Sequence, residues 1–402
     1  LQACFSKRED NMLRSSCQLK LFVYPGFGVG RATERLPSSS LPRQQDQFSS
    51  PSNRRAFTSE AAILSRLLEA CRHTLQPTHA DAFLVPALLG TAIVSRWSRL
   101  GGPRANHFND WLHRLSVSNI NTSLPHLNVA TASRHIFLCT VDSQFVYLGG
   151  ASSRASPGLE QRSIWIHLGD DAYTSFIGRE HPPAPRRAPQ SHGFAIPNSL
   201  TVPYRISHWL PFGFPAPPQK KSLLLFGTVN ADKHPSRGLI LRTLANQSAQ
   251  LRLSSSVHIT FTNQMLSVAS AAGASMRASF CLCPTGDSKG FTARLYFSIV
   301  HACIPIWIDG FDRALRWNEI LFPYPHIIDW RRVVVIASIQ DVVSGKLLSK
   351  LITMRKSGVA DYYIRYIRTI SHHLLFDYTY GSAPDAADTA IRELEYRLKL
   401  KT

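Results

Sequence analysis

Gly286, Asp287, Ser288 and Gly290 make a small polar loop, and Thr292 and Arg294 follow it within four residues. A short apolar run, Phe280 to Cys283, leads into the loop and ends at Pro284. From about Phe291 to His301 the pattern predicts a helix with Leu295, Ile299 and Ala302 on its apolar face. Ile304 to Ile308 then predicts a second buried strand. Strand, glycine-containing loop, helix and strand form a βαβ pattern. At the carboxyl edge of such a sheet the helix N-terminus offers free N–H groups and the positive end of a dipole, which suits a diphosphate. No Gly-Lys-Ser/Thr closes the loop, so it is not a Walker loop; it is not the dinucleotide fingerprint either, and spacing alone favours a structural βαβ unit.

Other chemistry-bearing residues are sparse. Asp170 and Asp171 follow a predicted strand, Ser163 to His167; paired aspartates suit a metal or a general base, and equally an Asp-rich turn. The 16 histidines show no HExxH spacing, and the adjacent His372 and His373 read as surface residues. Cys281 and Cys283 are too close for a zinc finger. Cys281 and Cys303 lie on neighbouring predicted strands, as a disulfide or as buried free thiols.

The elements that position these residues divide the chain. Residues 1–18 read as an irregular remnant. Residues 19–210 read as a first domain, opening on the strand Leu19 to Tyr24 and interrupted by a Ser-, Pro- and Arg-rich loop at 31–57. Thr58 or Ser59 caps a helix with Ile63, Leu67, Cys71 and Leu75 on one face. Ala82 to Val85 is a strand, with Asp81 as a cap or hydrogen-bonded strand start. Residues 91–115 predict a helix, and Arg134 to Thr140 a strand. The Pro-rich stretch 211–221 reads as a linker, and 222–380 as a second domain beginning with Ser222 to Gly227. Helices are expected near 341–354 and 358–375. In 381–402 a last helix opens at a capping box starting from Ser382, with Ile391, Leu394 and Leu398 on one face.

The 402 residues are long enough for two domains, and 44% hydrophobic content supports sizeable cores. A net charge of +19 favours anionic partners such as nucleotide sugars, acidic polysaccharide, nucleic acid or lipid headgroups. The basic residues are spread out, with no dense Lys/Arg block interleaved with aromatics, which argues against nucleic acid. No run of about 18 apolar residues predicts a membrane span. The chain starts at Leu1, and a membrane anchor is expected upstream of it. Asn121 and Asn246 head glycosylation sequons, a weak pointer to the secretory route.

The order Phe280-Cys281-Leu282, Pro284-x-Gly286, Gly290-Phe291-Thr292-x-Arg294-Leu295-Tyr296, Cys303-Ile304-Pro305 and Asp309 resembles the signature of exostosin-like glycosyltransferases. These include plant and algal cell-wall transferases and animal heparan-sulfate polymerases. Ala80-Asp81-x-Phe83-x-Val85-Pro86 and Ile328-Asp329-Trp330 are further similar segments. The resemblance implies an α/β protein of GT-B fold, two Rossmann-like domains facing each other across a cleft. It implies inverting transfer from a nucleotide-sugar donor to a glycan or glycoprotein acceptor, with no metal and no cofactor beyond the donor. A partner glycosyltransferase and the Golgi lumen are further implications.

On that reading Gly286, Ser288 and Thr292 line the phosphate loop, Thr292 as a donor or as a helix cap. Arg294 neutralises phosphate or forms a structural ion pair, and Asp309 contacts the donor or satisfies a loop. A basic residue near the donor phosphates is Arg237 or Arg242. The base is Asp142, Asp170 or Asp171, with His135 and Asp142 resembling the family's His-x6-Asp segment. Two departures stand out. Arg134 occupies an expected acidic position. Phe297 occupies another, and it cannot accept the ribose hydroxyl bonds that a carboxylate takes. A catalytically degenerate GT-B protein that binds glycan or a partner transferase is the alternative reading.

Overall fold

The computed structural model describes residues 17–24, 59–88, 124–138, 163–168, 200–206, 210–229, 235–252, 257–260, 266–284, 292–308, 322–376 and 384–399. The chain divides into two compact units, residues 1–205 with 381–402 (unit 1) and residues 206–380 (unit 2). Each is an α/β unit built on a parallel sheet.

In unit 1 the strands are β1 (Lys20–Val23), β2 (Arg72–His73), β3 (Ala82–Leu88), β4 (His135–Leu138), β5 (Ile164–Leu168) and β6 (Leu200–Val202). Their order across the sheet is β2-β1-β3-β4-β5-β6, and every pairing is parallel. Helix α1 (Ser59–Ala70) buries Ile63, Leu64 and Leu67. The periodicity over-extends this helix: the chain turns at Cys71 into β2, and Leu75 lies beyond the turn, 97% exposed. A Cys17–Cys71 disulfide, absent from the sequence reading, ties the residues before β1 to the end of α1. Asp81 clasps β1 to β3: its carboxylate accepts from the Lys20 N–H at 2.7 Å, and its own N–H donates to the Lys20 carbonyl at 2.8 Å.

Unit 2 contains β7 (Leu223–Thr228), α2 (Pro235–Gln250), β8 (Val257–Thr260), α3 (Val268–Arg277), β9 (Ala278–Pro284), α4 (Ala293–Val300), β10 (Ile304–Ile308), β11 (Val335–Ala337), α5 (Ile339–Val343), α6 (Lys346–Lys356) and α7 (Val359–Ile370). The strand order is β11-β10-β9-β7-β8, again parallel throughout. All residues of β9 and β10 are buried, which explains their continuous apolar runs: a parallel strand covered on both faces has no polar side. Helix α3 escaped the sequence reading. Its VASAAGASMR composition lacks large apolar residues at helical spacing, yet Ala271, Ala272 and Ala274 are buried against the sheet. Cys281 and Cys303 form a disulfide between the β9 and β10 segments, and Cys283 is a buried free thiol.

The C-terminal helix (Ala386–Lys399) belongs to unit 1, where it packs on α1 and β6. Its capping box lies three residues later than the sequence suggested. Asp385 accepts from the N–H groups of Ala387 (2.8 Å) and Asp388 (3.0 Å), and Asp388 accepts in return from the Asp385 N–H at 3.2 Å. Arg66 of α1 pairs with Asp388 at 2.9 Å and Asp385 at 3.6 Å. Burial of Asp385 raises its pKa to about 6, against the capping N–H groups and Arg66. The cap and the bridge to α1 thus converge on one carboxylate. Asp385→Ala is expected to lower unit 1 stability by about 1–2 kcal/mol, read as a lower urea midpoint at neutral pH.

Candidate functional site

In unit 2 the sheet reverses direction between β7 and β9. From β7 the chain moves one way to β8 and then returns past β7 to β9, β10 and β11. In open parallel sheets ligands bind beyond the carboxyl ends of the strands at this switch point, because the helices that follow the two strands lie on opposite faces and leave a crevice between their N-termini. The two helices here are α2 and α4. Gly227, near the carboxyl end of β7, keeps the strands close: a Cβ there would sit 2.6 Å from the Leu282 side chain of β9.

Both helices carry arginine in their first turn. Arg237 of α2 is buried, with only 7% of its surface exposed. Arg294 of α4 is partly buried, and its Nη1 is shut off from solvent with no hydrogen-bond partner. Burial holds the Arg294 pKa below its ordinary value; Cys283 raises it in part, and Arg237 adds to the lowering. Two guanidinium groups therefore converge in electrostatic range of one another at the switch point. Thr292 occupies the N-cap position of α4 in extended conformation, yet its hydroxyl makes no capping bond, and its buried Oγ1 has no partner. The sequence left Thr292 as cap or ligand donor; the capping bond is not made. Nor does Arg294 form an ion pair among the described residues. An unpaired hydroxyl and an unpaired guanidinium nitrogen at a helix N-terminus are suited to phosphate oxygens. Arg242, further along α2, is exposed, and its guanidinium lies 3.3 Å from where a Cβ on Gly238 would stand. Of the two arginines left open by the sequence, Arg237 is the one beside Arg294.

Behind Arg294 the helix is anchored on polar groups. Ser298 donates to the Arg294 carbonyl at 2.9 Å and lies 3.4 Å from the Cys283 thiol, whose pKa burial pushes up to about 11. Phe297 has a different setting from that expected of a ribose-binding position. It packs on a cluster of Phe226, Ala271, Ala274 and the Cys281 and Cys303 residues of the disulfide. Its ring lies 4.3 Å from that of His301, whose Nδ1–H donates to the Phe297 carbonyl at 2.8 Å. Position 297 is thus part of the packing between α4, α3 and the sheet.

Gly286, Ser288, Asp309, Asp142, Asp170 and Asp171 lie outside the described residues. In unit 1 His135 is fully buried and is not a free base. Its Nδ1–H donates to the Thr131 carbonyl at 2.9 Å, so its Nε2 accepts from the Tyr24 hydroxyl at 2.7 Å. Phe83 stacks on the imidazole at 4.6 Å between ring centres. Burial lowers the His135 pKa to about 4 and raises that of Tyr24 above its ordinary value. Arg134, at the expected acidic position, donates to the Ala80 carbonyl at 3.0 Å and lies over the Phe83 ring. The Tyr24–His135 pair was hidden in the sequence by a separation of 111 positions.

The chain matches the Exostosin GT47 domain over residues 10–352. It belongs to that family. No curated protein matches at a significant level. The match spans β1, the switch point and α4, and the Exostosin GT47 family is one of glycosyltransferases.

Two outcomes are expected from this geometry. Phe297→Glu buries a carboxylate in an apolar cluster and should cost about 1–3 kcal/mol, while Phe297→Leu costs less; thermal midpoints compare them. The His135 pKa lies below the 6.5 of an unfolded histidine, so between pH 6.5 and 4 the unfolded chain binds more protons. Stability from this group is therefore full above pH 6.5 and is lost as pH falls through 4, on the order of 3 kcal/mol. His135→Gln, which retains an acceptor for Tyr24, should remove that slope from the unit 1 unfolding curve. Asp385, of opposite sign, is common to both proteins.

Proposed function

We propose that this exostosin-family protein transfers a sugar from a nucleotide-sugar donor to a hydroxyl of a glycan or glycoprotein acceptor, with inversion at the anomeric carbon. The observation that supports it best is the pair of unpartnered buried atoms at the start of α4, Thr292 Oγ1 and Arg294 Nη1, beside Arg237 at the switch point. In this reading they bind the donor diphosphate together with the α4 N–H groups. The acceptor oxygen forms its bond to the anomeric carbon as the bond to the diphosphate oxygen breaks. A carboxylate of unit 1, Asp142, Asp170 or Asp171, takes the acceptor proton. The diphosphate leaves with its developing charge met by Arg294. Gly286, Ser288 and Asp309 complete the donor loop. The two units would be the facing domains of a GT-B fold. No cofactor beyond the donor is invoked.

The Golgi lumen is the compartment this reading assigns. Two disulfides fit the oxidising secretory route. Among the described residues no helix is long and apolar enough to cross a membrane. A partner glycosyltransferase is part of the same proposal.

A second reading, a degenerate transferase that binds without turnover, draws on Phe297, which is packed into the α3–α4 cluster where a ribose-binding carboxylate is expected. One titration tests the donor site. A nucleoside diphosphate at about 100 times its Kd should raise wild-type stability by about 2.7 kcal/mol in thermal unfolding. The shift should vanish in Arg294→Ala and shrink in Thr292→Val. A panel without any shift removes the donor site. A shift without diphosphate release from any sugar nucleotide and acceptor selects the degenerate reading.

A further inference from the structure

The edge of the unit 2 sheet opposite the donor site gathers positive charge in excess of the negative charge around it among the described residues. Lys221 precedes β7, and its Nζ donates to the carbonyl of Ala302, just before β10, at 2.7 Å. Arg355 of α6 reaches the same edge, donating to the Ser279 hydroxyl at the start of β9 and to the Lys221 carbonyl. Burial lowers the Lys221 pKa to about 7, and the neighbouring cations Arg368 of α7 and Arg355 add to the lowering. Arg331 and Arg332 stand before β11, hence at the amino edge as well. Arg332 lies over two rings of α7, 3.9 Å from Tyr366 and 4.7 Å from Tyr362, and its Nε has no hydrogen-bond partner.

The set is continuous. Arg332 touches α7 through its tyrosines, α7 carries Arg365 and Arg368, and Arg368 adjoins Lys221 and so Arg355. None of these six cations has an ion-pair partner among the described residues. Two aspartates share this surface: Asp329, which accepts from the Arg331 N–H, and Asp361 in the first turn of α7; the six cations leave it strongly positive. Like charges held together at partial burial repel, and the arrangement is relieved when an anion enters.

We propose that this amino edge, with the outer face of α7, binds an acidic polysaccharide through its carboxylate or sulfate groups, at a surface separate from the donor site. Stacking holds the Arg332 guanidinium in one plane, and a fixed guanidinium fork matches a carboxylate or sulfate. Tyr362 is 44% exposed and offers a ring against which the apolar face of a sugar can lie. A lipid surface fits less well, because Ile364, Ile367 and Ile370 all face inward and α7 presents Tyr362, Arg365 and Thr369 outward. The two disulfides belong to an oxidising compartment, where nucleic acid is not the expected polyanion. The choice of a glycan rests on the transferase reading; the cationic surface does not.

The test uses the full chain with dextran sulfate and polygalacturonate as probes, neutral dextran as control, and binding measured over a range of salt. Wild type should bind at least one acidic polymer in a salt-dependent manner and leave neutral dextran unbound. Arg365→Glu/Arg368→Glu, two exposed positions, should weaken binding about tenfold or more without moving the thermal midpoint. Arg332→Ala should also weaken it, and Arg72→Glu on unit 1 should not. Equal loss in Arg72→Glu, or no loss in the double variant, overturns the site. Tighter binding to phosphatidylserine vesicles or duplex DNA at the same salt overturns the glycan assignment. Each variant is also titrated with nucleoside diphosphate. Polysaccharide binding without a diphosphate response would remove the transferase reading and leave this surface standing.

Discussion

The parallel pairing of β7 with β9 governs what unit 2 can do. It places Leu225 beside Phe280 and Phe226 beside Cys281, and it makes these two strands the point where the chain reverses its direction across the sheet. Two helices must then start side by side, and each starts with an arginine. The close approach is maintained by Gly227, which leaves room for Leu282. On one face of the sheet small alanines of α3 and the Cys281–Cys303 bridge complete the packing around Phe297.

Charge in unit 2 is separated by the sheet. Arg237 and Arg294 stand at the carboxyl side, while Lys221, Arg355 and Arg368 stand at the amino side. On the amino side the buried histidine His301, its pKa lowered to about 4 chiefly by burial, stays neutral near pH 7 and donates to the Phe297 carbonyl. Unit 1 follows the same rule with His135: full burial keeps the imidazole neutral and makes it an acceptor for Tyr24. Both of these buried imidazoles are thus neutral near pH 7 in a protein of net charge +19.

Much of the frame was legible from local pattern. The runs that became β7, β9 and β10 are apolar because both faces of a parallel strand are covered, and the glycine loop between β9 and α4 announced a βαβ unit. The ordered motif from Phe280 to Asp309 pointed to the exostosin family, which the match over residues 10–352 establishes. Thr292 and Arg294 were named from the same stretch, and Arg237 and Arg242 as alternatives from the segment after β7. Helix α3 was missed because alanine and serine carry little hydrophobic periodicity, although small residues are what a helix pressed closely on a sheet requires.

Sequence by itself therefore determined strands such as β7, β9 and β10, the βαβ unit around the glycine loop, and the family, because hydrophobic period and turn residues act over a few positions. Only the tertiary structure decided which distant groups meet. It paired Cys17 with Cys71 and Tyr24 with His135, and joined Arg66 to Asp385 and Asp388 across more than 300 residues. It buried Arg237 and left Arg242 exposed, packed Phe297 against the α3 cluster, and gathered Lys221, Arg355 and Arg368 at one edge. These outcomes depend on which strand lies beside which and which helix face meets the sheet, and no local spacing encodes either.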